Sequence, residues 1–302
     1  MTILKQLRFR LGSARHAHRL HQEIDSLRRE RDALLATHSI GDESRVRENE
    51  AALGYGKSGH YRKRVGPKNW YDQLAALQVS LLFVAGLRDT HRLADVGCGS
   101  LRAGRMLIPY LRPGGYFGIE PEKWLVEEGI KEELGHDILK VKRPSFRFVA
   151  DFSLDGFDTT FDFVLCQSVF SHTSPDLLRL GLGNIADSLS PTGKLLATFR
   201  KAELGGSRIG IKSGGEVLPN GWVVSGGYRY TWEELEEHLR ESGLVGRRIN
   251  WPHQNQSWFV ACKAGSEAEE TIEKLSRQIH PPRPKWGKRY RGTGKSHDLH
   301  WE

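Results

Sequence analysis

The chain has 302 residues, 38% hydrophobic and 27% charged, with a formal net charge of +8. It is long enough to bury a full α/β core with appendages, and no apolar run approaches the ~18–20 residues of a membrane span. The basicity belongs to the ends: residues 1–49 carry ten Lys/Arg against seven Asp/Glu, residues 277–302 seven against two, and residues 50–276 balance at 28 each. A balanced middle argues against a phosphate-backbone groove there and makes nucleic acid a weak expectation. The N-terminus lacks an unbroken apolar stretch and a small-residue cleavage site, so it does not read as a secretory signal. Cys98, Cys166 and Cys262 have no metal-ligand spacing and read as buried thiols of a reducing cytoplasm. No divalent-metal cluster is visible.

Residues 1–40 read as an N-terminal helix. Ile3, Leu4, Leu7 and Leu11 give one apolar stripe among basic residues, and Leu20, Ile24, Leu27 and Leu34 follow at heptad-like spacing. Three readings stay open: a coiled coil that makes a homodimer, a basic amphipathic helix on the inner face of a membrane, and a solvated, frayed helix. Residues 41–69 form a linker. Its end, Gly54–Trp70, mixes glycines, aromatics and basic residues. That suits a flap or packing segment over a bound ligand, or a contact to single-stranded nucleic acid. Residues 70–85 predict an amphipathic helix with Leu74, Leu77, Leu81 and Val84 on one face.

The central stretch is residues 91–120. A short apolar strand over 92–96 meets Gly97 and Gly99 at once. Leu101, Met106, Leu107 and Leu111 then recur at helical spacing, Pro113-Gly114-Gly115 closes the helix, and a second strand over 116–119 ends in Glu120. This is a βαβ unit that binds a nucleoside beyond the strand ends. Glycines let backbone approach the ligand, and a carboxylate at the end of the second strand can accept both ribose hydroxyls. The dinucleotide fingerprint fails, because Arg102 stands where it wants a third glycine.

Further on, residues 123–134 predict a helix and 146–150 a third strand that ends at Asp151-Phe152. Residues 161–166 are a near-continuous apolar strand, buried on both faces. Ser174-Pro175-Asp176 supplies a helix cap, a first-turn proline and a first-turn acid, and Leu178, Leu182, Ile185 and Leu189 share one stripe. Ser190-Pro191-Thr192-Gly193 ends that helix before a fifth strand over 194–199. Glycines and serines break any period in 200–230, an insertion that reads as a binding loop or lid. Thr231 and Glu234 form a capping box. Two strands over 245–251 and 256–262 form a hairpin. Residues 264–280 read as a polar helix, and 281–302 as a basic, disordered tail. Strands alternating with helices predict a parallel sheet.

Asp95-Val96-Gly97-Cys98-Gly99 resembles motif I of the class I S-adenosylmethionine-dependent methyltransferases. Leu101 stands where many members have glycine, with Gly104 further on. The resemblance runs over residues 70–263, with the insertion at 200–230. It implies a seven-stranded Rossmann-like α/β sheet with an antiparallel last strand, preceded here by the N-terminal helix. It also implies S-adenosylmethionine as cofactor. Asp95 would orient the loop and contact the amino acid part, Glu120 would hold the ribose, Asp151 would meet the adenine amino group, and Phe152 would cover the ring. Gly97, Cys98, Gly99, Pro121 and Gln167 would complete the cofactor site. DVGCGSLRAGR with YFGIEPEKW looks like a bacterial subgroup associated with polysaccharide and cell-surface biosynthesis. The implied activity is methyl transfer to a hydroxyl of a small molecule or glycan, or to RNA, or the fold is kept as a non-catalytic scaffold. Amino-directed Asn/Asp-Pro-Pro-Tyr/Phe motifs are absent at the fourth strand, where Cys166-Gln167-Ser168-Val169 stands. His172, just past that strand, is the foremost general-base candidate, ahead of Tyr55, His60, Tyr61 and His253; the alternative is that it braces the following helix.

Overall fold

The computed structural model describes residues 60–202, 216–224 and 227–279. The expected N-terminal helix, most of the linker with Tyr55, part of the insertion and the basic tail lie outside the described residues. Seven strands form one sheet: β1 (Leu93–Val96), β2 (Tyr116–Ile119), β3 (Ser145–Arg147), β4 (Phe161–Cys166), β5 (Leu189–Phe199), β8 (Leu244–Ile249) and β9 (Ser257–Lys263). A separate short hairpin pairs β6 (Glu216–Val217) with β7 (Val223–Val224). The large sheet runs in the order β3-β2-β1-β4-β5-β9-β8. The first five strands are parallel, and β9 runs antiparallel to both neighbours. The Rossmann-like sheet with an antiparallel last strand is therefore present.

Alternating side chains divide the core into two faces. Ala94, Val96, Val164, Cys166, Leu195 and Ala197 point to one side, and Leu93, Phe163, Leu165, Leu196, Trp258 and Val260 to the other. The first face is covered by α6 (Pro175–Ser188) and α7 (Trp232–Glu241). The second is covered by α2 (Tyr71–Val84), α3 (Gly104–Tyr110), α4 (Lys123–Gly129) and α8 (Ala268–Gln278). A short helix α1 (Tyr61–Arg64) precedes them, and α5 (Asp137–Lys142) leads into β3. Leu178, Leu182 and Ile185 of α6 are fully buried, each contributing ~1.5–3 kcal/mol. The Ser174 hydroxyl accepts from Leu177 N–H at the start of α6, and Thr231 with Glu234 completes both bonds of its capping box.

Several predicted elements shift. The buried face of α2 is Leu74, Ala75, Gln78, Val79, Leu81 and Leu82, whereas Val84 is exposed. Leu101 is not helical. It sits at φ +60° in the turn before α3, and Met106 faces outward. The third strand is confined to 145–147, short of the predicted 146–150. The fifth strand starts at Leu189 rather than Lys194. Leu189 pairs with Phe161 and Lys194 with Phe163, so the Ser190–Gly193 turn bulges out within the strand. The terminal helix is amphipathic rather than polar, with Ala268, Ile272 and Leu275 buried. Among the described residues no helix is long and apolar enough to cross a membrane.

Candidate active site

The C-terminal ends of β1, β2, β4 and β5 open on one edge of the sheet, where the strand order reverses between β1 and β4. A crevice forms at such a switch point. Here it is a cavity of about 420 Å³, walled by the loops after these strands, by residues 63–67 and by the turn 253–256. Gly97 has φ +69°, and a Cβ there would overlap Val169 Cγ2, so the β1 and β4 exits approach this closely only with glycine.

Glu120 stands on the β2 side with both oxygens engaged. Oε2 accepts from Gly99 N–H at 2.9 Å and Oε1 from Glu122 N–H at 3.0 Å. Burial pushes its carboxyl up to about 7, against those two bonds. Asp95, at the end of β1, accepts from the Tyr116 hydroxyl at 2.8 Å, and burial raises it to about 6 while Tyr116 and Arg102 oppose. Glu122 is buried beside them, bound to Arg64 at 2.6 Å and to Trp124 Nε1 at 2.9 Å. Residues 60–67 are tied across this side of the cavity. Tyr61 and Arg62 both donate to Glu133, and the buried Arg102 donates to Val65 O at 2.6 Å and to Gln78 Oε1 at 3.0 Å.

On the β4 side, His172 lines the cavity and hydrogen-bonds the Val223 backbone. Burial, then the Arg200 charge, with Arg64 adding, holds its pKa below the usual 6.5, so the imidazole is neutral at pH 7. His253 also lines the cavity, but both of its nitrogens are engaged. Nδ1 accepts from Asn255 and Gln256 N–H, which leaves the proton on Nε2, 3.1 Å from the Gln167 side-chain amide. With its amide turned so that Oε1 faces His253, Gln167 accepts a hydrogen bond from that N–H, which also satisfies the otherwise unpartnered buried oxygen. Burial, with Arg102 and Arg200, pushes His253 down to about 4. His253 therefore positions its turn and Gln167 rather than serving as a base. Gln256 extends this brace, accepting from Thr198 at 2.6 Å and donating to Ser168 and Ser171.

Of the residues expected from the sequence, Asp95, Gly97, Cys98, Gly99, Glu120, Pro121, Gln167 and His172 line this one cavity. Asp151 and Phe152 do not. Asp151 turns back to accept from Ser153 N–H, and Phe152 is buried in the core between Phe170 and Trp222. The aromatic ring at the cavity wall is instead Trp222, stacked on Phe152 with centroids 5.6 Å apart and anchored by Nε1 to Ala150 O. His60 and Tyr61 lie outside the cavity lining. Trp222, Arg200, Arg102 and Glu122 were missed by sequence reasoning. Arg200 alone had a usable signal, as the first residue after a parallel strand.

Residues 94–195 match the family model described as a methyltransferase domain. The fold around the cavity is the Rossmann-like fold of such domains. Among solved structures it is similar to DhpI in its SAM-HEP complex, at 14% identity, covering 72% of this chain and 96% of that one with a TM-score of 0.51. That likeness is one of fold. Magnesium protoporphyrin IX methyltransferase (ChlM) from Synechocystis PCC 6803 with bound SAH matches at 15% identity, 75% and 100% coverage and a TM-score of 0.49. The sugar N-methyltransferase KedS8 from Streptoalloteichus sp ATCC 53650 matches at 14% identity, 69% and 95% coverage and a TM-score of 0.48.

Proposed function

We propose that this methyltransferase domain methylates a hydroxyl oxygen of a small molecule or glycan, with His172 as the general base. The observation that carries the reading is the pair of opposed groups in one cavity: the Glu120 carboxylate bound to the Gly99 amide on one side, and a neutral, cavity-lining His172 on the other.

The donor set fits S-adenosylmethionine. Glu120 keeps lone pairs for two ribose hydroxyls, the Gly97–Gly99 loop brings bare backbone to the ligand, and Asp95 fixes that loop through Tyr116. The cofactor, when bound, supplies a methyl carbon already made electrophilic by its sulfonium. The protein then needs to align an oxygen in line with the breaking bond and exclude water. Residues 63–67 and Trp222 close the cavity walls. His172 takes the hydroxyl proton as the oxygen forms its bond to carbon, and its link to the Val223 backbone fixes the ring. The proton then returns to solvent from His172. A homodimer or membrane contact through residues 1–40 remains a separate proposal for that segment.

The test is mass spectrometry of an acceptor pool incubated with the protein and deuterated-methyl S-adenosylmethionine. A labelled O-methyl product that disappears in His172→Gln supports the reading. A product labelled on nitrogen or carbon overturns the oxygen assignment.

A further inference from the structure

Arg102 is a buried cation in the cavity wall, 7% exposed, in the turn between Gly99 and α3. Two neutral acceptors hold it: Nε donates to Gln78 Oε1 of α2, and Nη1 to the Val65 carbonyl. Nη2 has no hydrogen-bond partner among the described residues and is not sealed in protein, so its hydrogens are left to the cavity that Arg102 lines. The carboxylates on this side are committed elsewhere. Glu120 accepts from the Gly99 and Glu122 amides, Glu122 from Arg64 and Trp124, and Asp95 from Tyr116. Asp95 acts on Arg102 through space, opposing the burial that lowers the guanidinium to about 10, and Arg102 stays charged at pH 7. A charge held out of water without an ion pair is costly until a counter-ion arrives.

We infer that Arg102 binds the α-carboxylate of the cofactor's amino acid tail, with the tail's ammonium turned toward Asp95. The site then selects nucleosides that carry an intact amino acid end. This rests on the cofactor fit given above and holds whichever atom is methylated. Arg102 and Asp95 present neighbouring charges of opposite sign beside the Gly97–Gly99 loop, and an amino acid presents the complementary pair. A phosphate would meet the same guanidinium but would be repelled by Asp95 and Glu120, whereas a zwitterion is matched at both ends. A carboxylate accepts from Nη2 through a charge-assisted bond, which a neutral group in its place cannot equal.

Calorimetric titration of the full chain at pH 8 tests this, with S-adenosylhomocysteine and its decarboxylated analogue, S-adenosyl-3-thiopropylamine, as probes. The wild type should bind the first at least about tenfold tighter. Arg102→Gln should bring the two within about threefold of one another, chiefly by weakening S-adenosylhomocysteine. An arginine that only braces Val65 and Gln78 would, on removal, weaken both ligands alike and keep their ratio. Arg102→Lys keeps the charge without the fork and should keep part of the ratio. If Arg102→Gln does not fold, the fall of the ratio in Arg102→Lys decides. Equal binding of the two probes by the wild type, or the full ratio surviving in a folded variant, overturns the Arg102 assignment and leaves the cofactor reading standing. Binding of neither probe sinks both.

Discussion

Glu120→Gln separates what the Glu120 carboxylate does for binding from what it costs the fold. Burial moves this group from 4.5 to about 7. Between those values the folded chain holds a proton that the unfolded chain has released, so stability falls as pH rises across the window and is flat above it. At ~1.4 kcal/mol per pH unit, the fall from pH 5 to pH 8 due to Glu120 is about 3 kcal/mol. Asp95, raised to about 6 by burial, adds a smaller fall of about 1 kcal/mol between pH 5 and pH 6, and the variant keeps that part. Urea unfolding followed by tryptophan fluorescence at pH 5, 6, 7 and 8 reads both components. His253, pushed down to about 4, and His172 oppose these falls in both proteins, so the difference is what reads Glu120: between pH 5 and pH 8 the wild type should lose about 3 kcal/mol more than Glu120→Gln. The variant should at the same time bind S-adenosylhomocysteine roughly 100-fold more weakly at pH 8, since charge-assisted bonds to two hydroxyls are lost. An unchanged pH slope would show that the carboxylate is not buried as described, and unchanged affinity would show that it does not hold the ribose.

Other expectations follow from single contacts. Gly97→Ala forces a side chain into φ +69° and against Val169, so it should cost about 1–3 kcal/mol in urea unfolding and weaken cofactor binding. His172→Gln should lower kcat by about 10²–10⁴-fold while leaving S-adenosylhomocysteine affinity within a factor of two. In the wild type, kcat/KM for the acceptor should rise with pH to a plateau whose midpoint lies below 6.5, because the base is active only when neutral and its pKa in the acceptor-free protein is lowered. Thr231→Ala removes a capping box outside the cavity lining and should cost about 1 kcal/mol of stability with no change in nucleoside affinity.

Local chemistry made some of this legible in the sequence and tertiary contacts hid the rest. The bounds of β4 were readable because a strand buried on both faces is apolar throughout, and Ser174 and Thr231 were readable because a cap is a bond within three residues. Gly97, Gly99 and Glu120 could be placed because the βαβ unit fixes them at adjacent strand ends. Leu101 misled because its burial at helical spacing comes from a turn with positive φ. Pro191 and Gly193 misled because turn residues here form a bulge inside β5. Asp151 and Phe152 were expected in the site from their place after the third strand. That strand ends early, and Phe152 is drawn into the core under Trp222. Trp222 itself sits in an insertion with no period, so nothing local marks it. Arg102 and Glu122 are buried only because Gln78, Val65 and Arg64, distant in sequence, come to meet them.

The central claim is that a sulfonium nucleoside occupies the crevice beyond β1 and β2. Its most direct test is calorimetric titration of the wild-type protein with S-adenosylhomocysteine at pH 8. The account predicts saturable binding at one nucleoside per chain, strengthening from pH 6 to pH 8 as Glu120 ionises. The absence of any binding heat across that range, together with an unaltered melting temperature, would contradict it.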